Sequence, residues 1–356
     1  MVSIRRIIFP GLLPSFIKIR YYRWFKGAKI GKGSKISIFS YVKSPNISIG
    51  INCKIGIMTF IETVKEVKLG NRVKINMQTS IRTGILHIGD DTEIMDNVRI
   101  GGILTHKSSL LIGKQVGIFP YSYINPSYEI IIEDGVGIGG RSHLFTHGGW
   151  HSALDGYPIK YAPIIIKTKA WLAWRVTVVP GITIGEGSIV QADSLVTKDI
   201  PPFHYARGNP ILISKFKIFD HNNEKKISII KETWENFFEY QKFIGKKIEL
   251  FEENELQISY KMQFKKNKET FLVFWYDDHT EKYIDWRKNN QFDKEKIIVM
   301  FLDKKIFNEL SDEFKTKKYS YFIIEDLKIY GRNEINGELQ EFFKRYWINF
   351  EFKNHP

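Results

Sequence analysis

Between residues 30 and 200 an aliphatic residue followed by a small or polar one recurs at nearly constant spacing, and this rhythm limits the fold more than any other feature. The pairs are Ile30-Gly31, Ile49-Gly50, Leu69-Gly70, Ile88-Gly89, Ile112-Gly113, Ile132-Glu133, Ile166-Lys167 and Ile184-Gly185, separated by 19, 20, 19, 24, 20, 34 and 18 residues. A period near 18 is three hexapeptides. The six-residue beat is explicit in IGEGSI-VQADSL-VTKDIP (184–201), where Ile184, Val190 and Val196 each take the first place. A helix would need apolar residues at three- and four-residue steps and an antiparallel strand would alternate with period two. The pattern fits a triangular coil instead, with an aliphatic side chain filling the interior at each face and small residues at each corner. Coils that touch only their neighbours tolerate insertions at the corners, and the 34-residue step holds the longest one, THGGWHSALDGYPIKYAP (146–163).

The 356 residues are enough for more than one core. After Pro210 the rhythm stops. KKISIIKETWENFFEYQKFIG has helical apolar spacing, FLVFWYDD, KIIVMFLD and YSYFIIEDLKIYG read as strands, and NGELQEFFKRYWINF reads as a closing helix. The expected organisation is a basic amphipathic segment (1–27), a β-helical domain (28–215, with a loop at 148–163) and a small α/β or α+β domain (216–356). Phe274, Trp275 and Tyr276 in the last part read as core, and that part shows no catalytic constellation.

Charge follows the same boundary. Residues 1–215 hold 27 Lys and Arg against 13 Asp and Glu, while residues 216–356 hold 26 of each. The first part therefore expects an anionic partner; it contains no recognised nucleic-acid module. The single cysteine, Cys53, rules out an intramolecular disulfide or a cysteine zinc site and agrees with a reducing compartment. In MVSIRRIIFPGLLPSFIKIRYYRWFKG, Pro10, Gly11 and Pro14 break the apolar run and no small-residue cleavage site follows. The segment reads as neither a signal peptide nor a membrane span. It is expected to cap the next domain or to lie on an anionic lipid surface.

The stretch 162–210 resembles the closing coils of the hexapeptide-repeat acyltransferases, through PIII…AWLA, VVPGITIGEG, ADSLVTKDIPP and GNP in order and spacing. The likeness extends over about residues 28–213 and is strongest toward galactoside, maltose and antibiotic O-acetyltransferases and polysaccharide-locus relatives. It implies a left-handed parallel β-helix with a protruding loop, assembled as a homotrimer, that takes acetyl-CoA as donor without a metal. A glycan or lipid-linked sugar, as in capsule or other polysaccharide biosynthesis, would be the acceptor. The implied location is cytoplasmic, including the inner face of a membrane if residues 1–27 make contact there.

Acyl transfer from a thioester to an alcohol needs a base for the hydroxyl proton, a donor for the tetrahedral oxyanion and a groove that aligns both substrates. The inserted segment carries His147 and His151, and His143 precedes it. By resemblance His147 stands where the family's catalytic histidine does, 24 residues before Trp171. His143 should decorate an outer face. His151 would orient His147 or touch the acceptor, with Trp150 and Asp155 beside it. The resemblance further assigns the Trp174 backbone N–H as oxyanion donor and Trp171, Ala173, Ala192, Thr197, Lys198 and Lys215 to the cofactor. Asn125 stands where relatives place an acceptor-holding Asp; a turn residue at a coil corner is the other reading.

Two positions depart from the family pattern. Ala173-Trp174 replaces a glycine and a small residue, and Asp193 replaces the glycine of an AGS turn, which puts the orientation of CoA in question. These departures motivate a rival, a non-catalytic trimeric scaffold. A second rival is a γ-carbonic-anhydrase-like zinc enzyme, a related β-helix family that binds zinc through histidines of adjacent subunits; separately, His143, His147 and His151 are four residues apart and would line one face of a helix as zinc ligands. Gly148-Gly149 and the hexapeptide register oppose that helix.

Overall fold

In a computed structural model the chain forms two compact units, residues 1–219 and 220–356. The structure describes residues 4–149, 151–156, 158–217, 223–253, 257–265, 268–275, 280–289, 297–302, 304–309, 319–323, 327–330, 334–344, 348 and 351–353.

The first unit is a parallel β-solenoid whose short strands lie on three faces. Face one stacks nine parallel strands, from Lys35–Ile36 through Gly137–Ile138, Trp171–Leu172 and Ile189–Val190 to His204–Arg207, and Leu212–Lys217 closes it antiparallel. Face two includes Tyr123–Asn125, His143–Phe145, Thr177–Val178 and Leu195–Val196. Face three includes Ser109–Ile112, Glu129–Ile132, Ile164–Ile166 and Thr183–Ile184.

Each face sends one aliphatic column inward. Ile36, Ile55, Ile75, Ile94, Ile118, Ile138, Leu172 and Val190 are buried on face one, and Ile49, Leu69, Ile88, Ile112, Ile132, Ile166 and Ile184 on face three. Each such side chain contributes about 1.5–3 kcal/mol relative to exposure, so the repeat in the sequence is the core itself. The glycine after the aliphatic residue is steric: a Cβ on Gly50 would lie 2.3 Å from the Gly70 carbonyl oxygen of the next coil.

Corner geometry needs less glycine than the sequence suggests. One residue per corner takes positive φ, and along Lys169, Arg175, Gly181, Gly187 and Asp193 it does so every six residues. Small hydroxyl residues beside the corners are placed to bond the next coil: Ser142 Oγ donates to the Ala173 carbonyl oxygen (3.2 Å) and Thr59 Oγ1 to that of Asn76 (2.6 Å). The serines and threonines of the repeat thereby satisfy backbone groups that the turns leave unpaired.

Residues 4–27 form a helical cap, with helices at Ile4–Ile8 and Ser15–Lys26. Lys18 is fully buried, and its Nζ donates to the carbonyl oxygens of Gly11 (2.9 Å), Ser37 (2.7 Å) and Ser40 (2.9 Å). Burial pushes its ammonium down to about 8. Tyr22 Oη accepts the Val42 N–H at 2.8 Å, and burial raises that phenol well above its ordinary value. The cap is therefore bolted to the first coil.

The second unit is built around a mixed seven-stranded sheet, in the order 248–253, 257–265, 268–275, 297–302, 319–323, 328–330 and 351–353. Helices Asn223–Phe243 and Glu334–Lys344 contribute Trp234, Phe237, Phe238, Leu339, Phe342 and Phe343 to its core, with Phe322 and Ile329. The sequence pattern indicates the two helices and the strands at 268–275, 297–302 and 319–330. It misses Ile248–Glu253 and Gln257–Lys265, where charged residues interrupt the alternation. Of the aromatic cluster, Phe274 and Trp275 belong to strand Lys268–Trp275, and Tyr276 lies outside the described residues.

Candidate active site

The insertion leaves the column at the edge between faces two and three. Strand His143–Phe145 ends there, and the chain returns to the column at Ile164–Ile166. The excursion has a base the sequence does not announce: His147–Gly148 pairs antiparallel with Lys160–Tyr161, in the register His147 to Tyr161. Gly148 is thus a strand residue and not loop, and a short 3-10 turn at Ala153–Asp155 lies beyond it. A Cβ on Gly149 would meet Ile159 Cγ1 at 3.0 Å, so the two arms stay close just past the base. The returning arm leans on the next coil, where a Cβ on Gly181 would lie 3.1 Å from both Lys160 Nζ and Ala162 Cβ.

His147 is half-buried, and its imidazole stacks on Tyr161 with ring centroids 5.3 Å apart and planes inclined by 22°. Its Nδ1 is buried without a hydrogen-bond partner among the described residues. Tyr161 has no repeat position to betray it in the sequence; only the hairpin register reveals it.

An ion pair restores the register across the long step. Lys167 Nζ binds Glu133 at 2.7 Å, and Thr168 donates to the same carboxylate through its N–H and hydroxyl at 3.0 Å each. This accounts for Glu and Lys standing where other coils carry glycine. The Lys167 ammonium holds the Glu133 carboxyl below the usual carboxylate range.

The two departures from the family pattern both have partners. A Cβ on Gly140 would lie 2.6 Å from the Trp174 indole, so the ring lies over a glycine of the preceding coil. Asp193 receives two hydrogen bonds from the Arg175 guanidinium, at 2.5 and 2.6 Å. The guanidinium pulls the carboxyl below its ordinary range, and the carboxylate raises the guanidinium. The Trp174 turn is held on three sides. Ser142 Oγ donates to Ala173, the Arg175 N–H donates to Gly140 (3.0 Å), and the Asp193 N–H donates to Trp174 (3.0 Å). The N–H groups of Trp174 and Ala192 have no acceptor among the described residues.

The sequence-predicted residues separate into two groups. His147, His151 and Asp155 lie at the edge between faces two and three, as do Thr197 and Lys198 two coils on; His151, Asp155, Thr197 and Lys198 are exposed. Ala173, Trp174 and Ala192 lie at the other edge of face two. About five extended residues at roughly 3.3 Å each separate these edges, or about 16 Å. No hydrogen bond or ring contact joins His147 to Trp171 or Trp174 among the described residues. Trp171 stands outward on face one, and Lys215 is exposed on strand Leu212–Lys217. Trp150 lies outside the described residues.

Asn125 is buried, and its Oδ1 accepts from Ser127 Oγ (2.7 Å) and the Ser127 N–H (3.2 Å). Its carbonyl accepts from Thr146 Oγ1 at 2.6 Å. These contacts make Asn125 part of the turn at Ser127. His143 points outward on its strand and stacks on Phe145 at 5.9 Å. Residues 143–145 and 147–148 are extended, so the histidines at 143 and 147 do not share a helix face as a helical zinc site would require.

A comparison with known proteins decides the family. The chain is 32% identical to the Escherichia coli protein named "Putative colanic acid biosynthesis acetyltransferase WcaF", over 30% of this chain and 69% of that protein. It is an acetyltransferase of the hexapeptide-repeat family. A second relative, named "Putative acetyltransferase" in Staphylococcus aureus strain COL, is 49% identical over 17% of this chain and 30% of its own length. Among solved structures, a hexapeptide-repeat acetyltransferase from Vibrio cholerae aligns over 43% of this chain and 74% of its own, at 25% identity and a TM-score of 0.32. No profile of a known protein family matches the chain.

Proposed function

We propose that this hexapeptide-repeat acetyltransferase is an O-acetyltransferase that moves the acetyl group of acetyl-CoA to a sugar hydroxyl of a surface polysaccharide or its lipid-linked precursor. The observation that carries the reading is the placement of His147, an imidazole fixed by a hairpin and a tyrosine ring at the edge of an otherwise closed column. The imidazole takes the acceptor hydroxyl proton as oxygen attacks the thioester carbonyl. The Trp174 N–H steadies the oxyanion, the C–S bond breaks, and the proton passes from His147 to the departing thiolate. Thr197, Lys198 and Lys215 supply hydroxyl and cationic groups for the phosphates of the nucleotide end. Trp171 walls the thioester, and His151 and Asp155 face the acceptor.

Because His147 and Trp174 occupy two edges of one face, the reading requires a second copy whose Trp174 edge meets the first copy's His147 edge. A homotrimer supplies three such junctions. The test is thiol release from acetyl-CoA against a panel of glycans, with mass spectrometry of the product. Wild-type protein should release thiol with a matching glycan and His147→Ala should not; equal rates in the two would overturn the reading.

A further inference from the structure

The cap that closes the first coil has a second, outward face. No Asp or Glu precedes Glu62, while the first 61 residues carry eleven Lys and Arg. On helix Ser15–Lys26 the inward positions are Lys18 and Tyr22, both locked to the first coil. Phe16, Arg20 and Trp24, each four residues from the next, therefore form an outward stripe, and Phe16 and Trp24 are 63% and 75% exposed. Arg23 and Lys26 are exposed beside it. Helix Ile4–Ile8 adds exposed Ile4 and Ile8 with Arg5 between them, and Phe9 and Leu12 follow, also exposed.

Burial of these apolar groups inside the unit is closed off by the fold. Rotating the helix inward would withdraw Lys18 from three carbonyl oxygens and Tyr22 from the Val42 N–H. That would strip the Ser37 and Ser40 carbonyls and the buried Val42 N–H of these partners, a loss that folded chains avoid.

We propose that this face docks on an anionic lipid bilayer, with Phe16, Trp24, Ile4, Ile8, Phe9 and Leu12 in the acyl boundary and Arg5, Arg20, Arg23 and Lys26 on the headgroup phosphates. The interleaving of large apolar side chains with cations selects this occupant. An acidic polysaccharide or a polynucleotide satisfies the cations and offers no apolar phase for six aliphatic and aromatic side chains, whereas an anionic bilayer satisfies both. The inference rests on the membrane-proximal acceptor of the proposed function for its use, and on none of the acetyl-transfer chemistry for its truth.

Co-sedimentation of the full-length chain with phosphatidylcholine vesicles containing about 30 mol% phosphatidylglycerol tests it, against vesicles of phosphatidylcholine alone. Binding to the anionic vesicles is expected, falling as salt rises. Arg20→Ser with Lys26→Ser should weaken it by about 25-fold, at about fivefold per cation. Phe16→Ser with Trp24→Ser should abolish it while the melting temperature holds. Absence of binding, or apolar-face variants that bind as wild type does, would overturn the proposal. So would a change of oligomeric size by light scattering in those variants, which would make the face a contact between copies. The catalytic reading fails separately: His147→Ala should bind vesicles normally, and the cap variants should acetylate a soluble acceptor at the wild-type rate.

Discussion

The two edges of face two are made from the same repeat and answer to different constraints. At the edge of Gly140, Trp174 and Ala192 every turn is fixed by the coils on either side, through Ser142, the Gly140 and Trp174 carbonyls and the Arg175–Asp193 pair. At the opposite edge the column lets the chain go at Thr146 and takes it back at Ala162, whose N–H donates to the Thr146 carbonyl at 3.0 Å. Between those residues nothing in the coil dictates side chains. In the proposed function the base sits at the edge that the coil leaves free, and the oxyanion-binding N–H at the edge whose geometry the coils fix.

The sharpest way to break that contrast compares two residues three apart. His147→Ala should cut acetyl transfer by about 10²- to 10⁴-fold and leave the melting temperature nearly unchanged. Leu144→Ala, buried in the strand His143–Phe145 that leads into the insertion, should cost about 2–5 kcal/mol of stability, read by urea unfolding. If His147→Ala proved as destabilising as Leu144→Ala, the insertion would be part of the core. Within the insertion, Tyr161→Ala removes the ring beside His147 and should lower kcat/KM by about ten- to a hundredfold. Tyr161→Phe keeps the stack and should retain the wild-type rate and pH profile; a loss in the phenylalanine variant would assign the role to the hydroxyl.

At the rigid edge, Gly140→Ala should cost about 1–3 kcal/mol, because its Cβ would stand 2.6 Å from the Trp174 ring and 2.9 Å from the Pro120 carbonyl oxygen. Trp174→Ala in the same chain should relieve the ring part of that cost. A double-mutant cycle with no coupling between the two positions would remove the packing explanation for the indole.

What could be read from the sequence follows the same division. Ile184, Val190 and Val196 announce the column because each buried position recurs every six residues and nothing else accounts for the beat. The left-handed corner residues are harder to see, since Arg175, Asp193 and Lys169 occupy them without glycine. His147 is visible only through the family resemblance. Tyr161 is invisible, because a two-residue hairpin base has no period and its partner lies 14 residues away. Asn125 is equally hard to read, as an amide that accepts from Ser127 in a turn looks the same in sequence as one that meets a sugar.

The smallest expected effect uses a device found in both the plain and the site-bearing coils. Arg72 grips Asp91 at 2.6 and 2.7 Å in early coils, and Arg175 grips Asp193 in late ones, in each case through corner residues of positive φ. Both pairs are largely exposed, and such pairs contribute little to stability. Asp91→Asn and Asp193→Asn should therefore unfold at nearly the wild-type temperature at neutral pH. The Asp193 carboxyl is held below its ordinary pKa, so its contribution is present above the ordinary value near 3.9 and is lost as pH falls through the lower folded value. The melting curves of Asp193→Asn and wild type should accordingly merge at the acid end. Function should separate the two pairs. Freed from its carboxylate, Arg175 adds a cation to the edge proposed for the donor, so Asp193→Asn should lower KM for acetyl-CoA a few-fold and make it more sensitive to salt. Asp91→Asn should do neither. An equal response from both variants would reduce the Arg175–Asp193 pair to a structural brace without influence on the donor.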